Sequence, residues 1–127
     1  MKFYKQIIIL IKIRLCPDPL SCKQAARKFE IELENEWNKE KWQNGYKDYI
    51  MRRGLMFKFS QFKEMLNRLM ETGSKRLVEE SYKDPYWGGM LPDSKNKLGD
   101  FLFELRENYR KTNKIFISDC GLEAIEI

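Results

Sequence analysis

Residues 84–106 read DPYWGGMLPDSKNKLGDFLFELR, and the change of character inside that stretch decides the fold. Up to Gly99 it is rich in Gly, Pro, Asp and Asn, residue types that supply turns and positive φ rather than regular structure. From Asn96 to about Arg110 the apolar residues Leu98, Phe101, Leu102, Leu105 and Tyr109 recur at helical spacing, which predicts a helix with one buried face. A long irregular loop therefore feeds an amphipathic helix.

Moving towards the N-terminus, RLVEES (76–81) is a short β-compatible run. Before it, SQFKEMLNRLMETG places Phe62, Met65, Leu66 and Leu69 on one stripe, and Gly73 is suited to close that helix in a left-handed conformation. A further helical stretch is expected from about Lys39 to Phe59, with Trp42, Tyr46, Tyr49, Ile50, Met56 and Phe57 at three- and four-residue spacings. Pro17 and Pro19 punctuate the chain earlier, and Asp18 or Ser21 can cap a helix running to about Glu34. The apolar run IIILIKI (7–13) is far shorter than the roughly 20 residues that span a bilayer, so it is expected to be a buried strand or the end of a core helix. Beyond Lys114, IFISDCGLEAIEI is either a terminal strand or a loosely held end. The expected fold is α+β and mainly α: four helices and one or two short strands around Phe59, Leu66, Leu69, Leu77, Leu98, Leu102 and Leu105.

At 127 residues the chain is sized for a single domain. There are no internal repeats or low-complexity linkers. Its 24 basic and 19 acidic residues leave a net charge of +5, a modest bias towards phosphate-bearing partners without the concentrated stripe of a dedicated DNA binder. Histidine is absent, which removes the commonest general base and every His-dependent triad. The three cysteines, Cys16, Cys22 and Cys120, make no CxxC pair, so no metal site is expected. Free thiols suit a reducing, cytoplasmic setting.

Candidate chemistry concentrates in the loop 84–99, which brings a carboxylate, two aromatics, adjacent glycines and an asparagine together. Trp87 beside Gly88 and Gly89 offers a flat face next to backbone that a planar ligand can approach. The plainer alternative makes Trp87 a core plug and the glycines a turn. A second candidate surface joins Trp42 to Lys47, Arg52, Arg53 and Lys58 on its helix, as a stacking ring with cations for phosphate; its alternative is a core Trp and a solvated charged face. There is no GxGxxG, no GxxxxGK[ST] and no GxSxG.

MRRGLMFKF (51–59), METGSKRLVEES (70–81) and DPYWGGMLPDSKNKLGDFLFELR (84–106) resemble the NADAR family in order and spacing. The matching positions are Trp42, Met51, Leu55, Lys58 and Phe59, then Leu69, Thr72, Gly73, Leu77, Glu79 and Ser81, then Asp84, Trp87, Gly88, Asn96, Leu98, Gly99 and Arg106. The resemblance reaches back to about Pro19, runs to residue 110 and leaves 111–127 as a tail to a single partial domain. It implies hydrolysis of an N-glycosidic bond without a cofactor, in phosphoribosylamino intermediates of riboflavin synthesis or in ADP-ribose attached to a nucleobase, ADP-ribosylated nucleic acid included.

By the same resemblance Asp84 is the catalytic carboxylate. Trp42 and Trp87 line the pocket and stack on the planar group, Gly88 and Asn96 shape it, and Arg52 or Lys58 meets phosphate. The family's N-terminal S-E-H-x-x-Q-x-x-K-like motif, with its catalytic Glu, has no match here. The resemblance therefore implies activity only when another segment or chain supplies that acid. A catalytically inactive module that binds ADP-ribose or a nucleotide is the alternative reading. A third is a partner-binding helical protein that homodimerises. No membrane partner is expected.

Overall fold

The computed structural model describes residues 14–32 and 39–127; the IIILIKI run lies outside them. Helix α1 spans Pro19–Glu32. Asp18 caps it, its carboxylate accepting hydrogen bonds from the Ser21 backbone N–H and hydroxyl, both at 2.8 Å. Those bonds hold the Asp18 carboxyl below its usual range, and Pro19 at the first helical position sacrifices an N–H that had no partner in any case.

The stretch expected to be one helix from Lys39 to Phe59 is two. A short helical turn, Lys39–Lys41, leads into a widened turn over Trp42–Tyr46 that breaks at Asn44 and at Gly45, where φ is 111°. Glycine reaches that angle without a Cβ clash, and the apolar spacing gives no sign of it. The chain falls into two units, residues 1–43 and 44–127, and the hydrophobic core belongs to the second.

In that second unit α2 (Lys47–Gln61) buries Leu55, Met56 and Phe59 together with Asp48. Helix α3 (Lys63–Glu71) buries Leu66 and Leu69, and α4 (Lys97–Thr112) buries Phe101, Leu105 and Arg106. Phe62, expected on the buried stripe of α3, is instead the non-helical joint between α2 and α3 and is exposed. Gly73 closes α3 at φ 62° as expected, its N–H donating to the Met70 carbonyl at 3.1 Å. RLVEES pairs with no strand among the described residues.

The tail is a strand pair. β1 (Lys114–Ile115) and β2 (Ile125–Glu126) run antiparallel with Lys114 opposite Glu126 and Ile115 opposite Ile125. Ile115, Ile117 and Cys120 are almost completely buried and join the three helices in one core, against which Leu77, Trp87, Leu98 and Leu102 are partly buried. Arg53 of α2 fastens the tail by donating to the Cys120 carbonyl at 2.8 Å, and Asn108 of α4 donates to the Phe116 carbonyl at 2.9 Å. The mainly α, α+β class read from the sequence holds, with four helices of nine residues or more among the described residues.

Candidate active site

Asp84 opens the loop by organising it. Its Oδ1 accepts the backbone N–H groups of Tyr86 at 2.9 Å and Trp87 at 3.0 Å, a turn that Asp forms readily because its short side chain reaches backbone two and three residues on. Ser81 supports it, its hydroxyl accepting the Asp84 N–H at 3.2 Å. The Gly88 N–H then returns to the Asp84 carbonyl at 3.1 Å. A Cβ on Gly88 would lie 2.7 Å from that carbonyl oxygen and 2.7 Å from Ser81 Cβ, so the turn is tight enough to require glycine there.

The second half of the loop lies alongside the first. Backbone N–H groups of Lys95, Asn96, Lys97 and Leu98 donate to the carbonyls of Pro85, Gly88, Tyr86 and Trp87, at 2.7 to 3.3 Å. Asn96 is buried and left-handed, φ 51°, a conformation asparagine tolerates better than most residues. Its side chain is committed to backbone: Oδ1 accepts the Glu79 N–H at 3.0 Å and Nδ2 donates to the Leu77 carbonyl at 2.9 Å. With the Gly89 N–H, which donates to the Glu79 carbonyl at 3.0 Å, these bonds hold RLVEES without a strand partner among the described residues.

Turn and frame present Tyr86 and Trp87 side by side, with ring centroids 4.8 Å apart in an edge-on contact. Trp87 is half-buried and meets the core through Phe101 at 6.1 Å. It is thus part plug, with a remaining surface to offer. The Arg52 guanidinium lies 4.5 Å from the centre of the Phe101 ring, and its buried Nε has no hydrogen-bond partner.

The Tyr86 hydroxyl donates to Asp48 Oδ1 of α2, a carboxylate that is itself buried. Burial, then the bond to Asp48 and its negative charge, push the Tyr86 phenol up to about 12, against an opposing pull from Arg52. Lys47 Nζ sits 3.6 Å and Lys95 Nζ 5.5 Å from the Tyr86 ring centroid. The structure thus gathers Asp84, Trp87, Gly88 and Asn96 in one loop and sets Arg52 against its base. Lys58 is exposed on α2, about 120° around the helix from Arg52, and has no contact with this group. Trp42 is half-buried in the N-terminal unit.

The NADAR domain model matches residues 2–110. The chain belongs to the NADAR family. This NADAR chain is 35% identical over 97 residues to the N-glycosidase YbiA of Escherichia coli (strain K12), covering 76% of this chain and 57% of that protein. It is 32% identical over 108 residues to an N-glycosidase of Acanthamoeba polyphaga mimivirus, covering 76% and 60%. It is 31% identical over 101 residues to a riboflavin biosynthesis protein of Vibrio vulnificus, covering 78% and 27%. The NADAR chain therefore spans somewhat over half the length of the first of these relatives. No solved structure matches it.

Around this loop the sequence reading did not single out Asp48, and it counted Tyr86 only as one of two loop aromatics. They lie 38 positions apart, and a carboxylate on a charged helix carries no periodic signal that it is buried. Among the described residues no group of three or more His, Cys, Asp or Glu side chains could hold a metal ion, and no helix is long and apolar enough to cross a membrane. A cavity of about 300 Å³ lined by Ser60, Lys63, Tyr109 and Ile127 involves none of the residues around Trp87.

Proposed function

We propose that this NADAR chain takes part in hydrolysing the N-glycosidic bond between a phosphorylated ribose and a nitrogen heterocycle, the bond shared by phosphoribosylamino intermediates of riboflavin synthesis and by ADP-ribosylated nucleobases, free or in nucleic acid. The observation that carries this reading is the fixed pairing of the Asp84 carboxylate with Trp87, its Oδ1 held by the Trp87 N–H at 3.0 Å. As the C1′–N bond breaks, its electron pair leaves with the heterocycle and positive charge grows on the ribose ring. A carboxylate already locked by backbone N–H groups needs no reorganisation to stabilise that charge. Water then adds at C1′ and gives up its proton to the carboxylate.

In this reading Trp87 stacks on the heterocycle, Gly88 and Asn96 keep the floor of the pocket narrow, and Arg52 or Lys58 meets phosphate. The acid that protonates the leaving base comes from a further segment or a partner chain, a second copy included, and the chain works in the cytoplasm as one NADAR domain. Turnover tests this: release of free heterocycle from a ribosylamino phosphate and from an ADP-ribosylated base, with the chain alone and with a full-length relative for comparison. Hydrolysis abolished by Asp84→Asn and by Trp87→Ala supports the assignment. Full activity in Asp84→Asn sinks it.

One observation favours binding without turnover. Oδ1 of Asp84 is already engaged by two backbone N–H groups, so its first duty is to the turn. A chain that gains thermal stability from ADP-ribose through Trp87 yet releases no heterocycle would establish this second reading.

A further inference from the structure

The segment RLVEE (76–80) is held along one edge only. The Leu77 carbonyl accepts the Asn96 side-chain amide at 2.9 Å, and the Glu79 N–H and carbonyl meet Asn96 Oδ1 and the Gly89 N–H, both at 3.0 Å. In an extended chain successive peptide groups turn to opposite edges, so alternate residues serve the same one. The N–H and C=O groups of Arg76, Val78 and Glu80 therefore face away from the loop, and among the described residues they make no backbone hydrogen bond. Arg76, Glu79 and Glu80 are exposed and Val78 is 37% exposed. An open edge of this kind is a template for a further strand. It ends at Glu80, after which the Ser81 N–H turns back to the Glu79 carbonyl at 2.9 Å.

The order of charges along the edge says which strand fits it. An edge protected from pairing meets an incoming copy of itself with like charge. Here the sequence is self-complementary. An antiparallel second copy centred on Val78 brings Arg76 opposite Glu80 of the second copy at both ends and sets the two valines opposite one another in the middle. Opposite charges and β-branched residues are favourable directly across a ladder, whereas like charges are not. Moving the centre to Glu79 sets glutamate against glutamate. Moving it to Leu77 sets Glu80 against Ser74, in the turn that closes α3. The register is thus specified by the sequence.

We propose that residues 76–80 are a homodimer seam, at which two copies of this chain pair antiparallel about a two-fold axis at Val78, each Arg76 meeting Glu80 of the other copy. Asn96 and Gly89 hold the opposite edge of the same segment, so the two loops that carry Trp87 flank one short two-stranded ladder. Dimerisation of this kind does not depend on what the loop binds or cleaves.

Sedimentation equilibrium over a concentration series, on the intact chain and on Arg76→Glu and Glu80→Arg, tests it. The intact chain is expected to dimerise. Either variant alone sets like charges opposite one another at both ends of the seam, and its dimer should weaken about tenfold or more. An equimolar mixture of the two variants should recover the dimer, because the acidic strand of one then meets the basic strand of the other, and that recovery also shows that both fold. In hydrogen exchange the Val78 and Glu80 amides of the intact chain should slow as its concentration rises. A chain that stays monomeric overturns the seam, as does a dimer that neither variant weakens or that mixing fails to restore. Exchange at both amides that ignores concentration overturns it without any variant. Protection of those amides in a monomer would place another stretch of the same chain on the edge and exclude the second copy.

Discussion

Asn96 donates its side-chain amide to the carbonyl of Leu77 at 2.9 Å, nineteen residues back in the chain, while its Oδ1 takes the N–H of Glu79. One side chain thereby ties the segment after α3 to the start of α4. Replacement by Ala leaves an N–H and a C=O without partners and puts alanine at φ 51°, a left-handed angle that Asn, Asp and Gly tolerate better. Asn96→Ala is expected to cost about 2–4 kcal/mol by urea denaturation. Asn96→Gly, which relieves the backbone but not the two lost bonds, should fall between it and the native chain. Equal stability of all three would remove Asn96 from the frame.

Glycine at 99 is dictated by the same residue. A Cβ there would strike the Leu77 carbonyl and the Asn96 amide, with Asn96 Oδ1 at 2.7 Å, and backbone cannot swing aside as a flexible side chain can. Gly99→Ala should destabilise by about 1–3 kcal/mol although alanine is the better helix former. Gly54→Ala on α2, where nothing lies within 4 Å, should stabilise by about 0.5–1 kcal/mol. Thermal melts of the two variants should move in opposite directions.

Arg106 is fully buried and donates to the Thr72 hydroxyl at 2.9 Å and the Lys75 carbonyl at 2.8 Å, with Glu107 at 3.3 Å as its counter-ion. It thus neutralises the carbonyl end of α3 from within α4. Arg106→Ala is expected to lose about 3–5 kcal/mol, whereas Arg68→Ala, which breaks an exposed pair with Glu64, should lose less than about 0.5 kcal/mol. A shift in denaturation midpoint for Arg106→Ala no larger than that for Arg68→Ala would contradict the burial.

Tyr86 gives a pH signature. Its phenol is held up at about 12 in the folded chain, against an ordinary value of 10, so the fold favours the protonated form. The resulting contribution is present in full below about pH 10 and is lost as pH rises through 12. Spectrophotometric titration of phenolate absorbance should show one late-titrating group that disappears in Tyr86→Phe. If the variant keeps that group, the Asp48 bond does not hold.

Much of this was legible in the sequence for a simple reason: α3 and α4 are helices whose apolar residues keep to one face, and periodicity reports faces. The Asp84 turn was legible as composition. What was hidden are contacts without a period. Gly45 at φ 111° interrupts an apparently continuous helix, and nothing in a row of apolar spacings marks a single backbone angle. RLVEES has the residues of a strand but is held by the Asn96 side chain and by the Gly89 N–H, not by a neighbouring strand among the described residues, which β-propensity cannot foresee. Asp48 looks like any solvated carboxylate on α2 until the fold brings Tyr86 to it.

The burial of Cys120 has a practical consequence. Its thiol is sealed against Met56 sulfur and the Ile117 carbonyl, whereas Cys16 and Cys22 are partly accessible. An alkylating reagent added in a brief pulse modifies a sealed thiol only when the surrounding layer parts. Mass change at Cys120 is therefore a clock for breathing of the tail against α2, read without any engineered label, and a ligand that grips the loop at Trp87 can be asked whether it slows that clock from a distance.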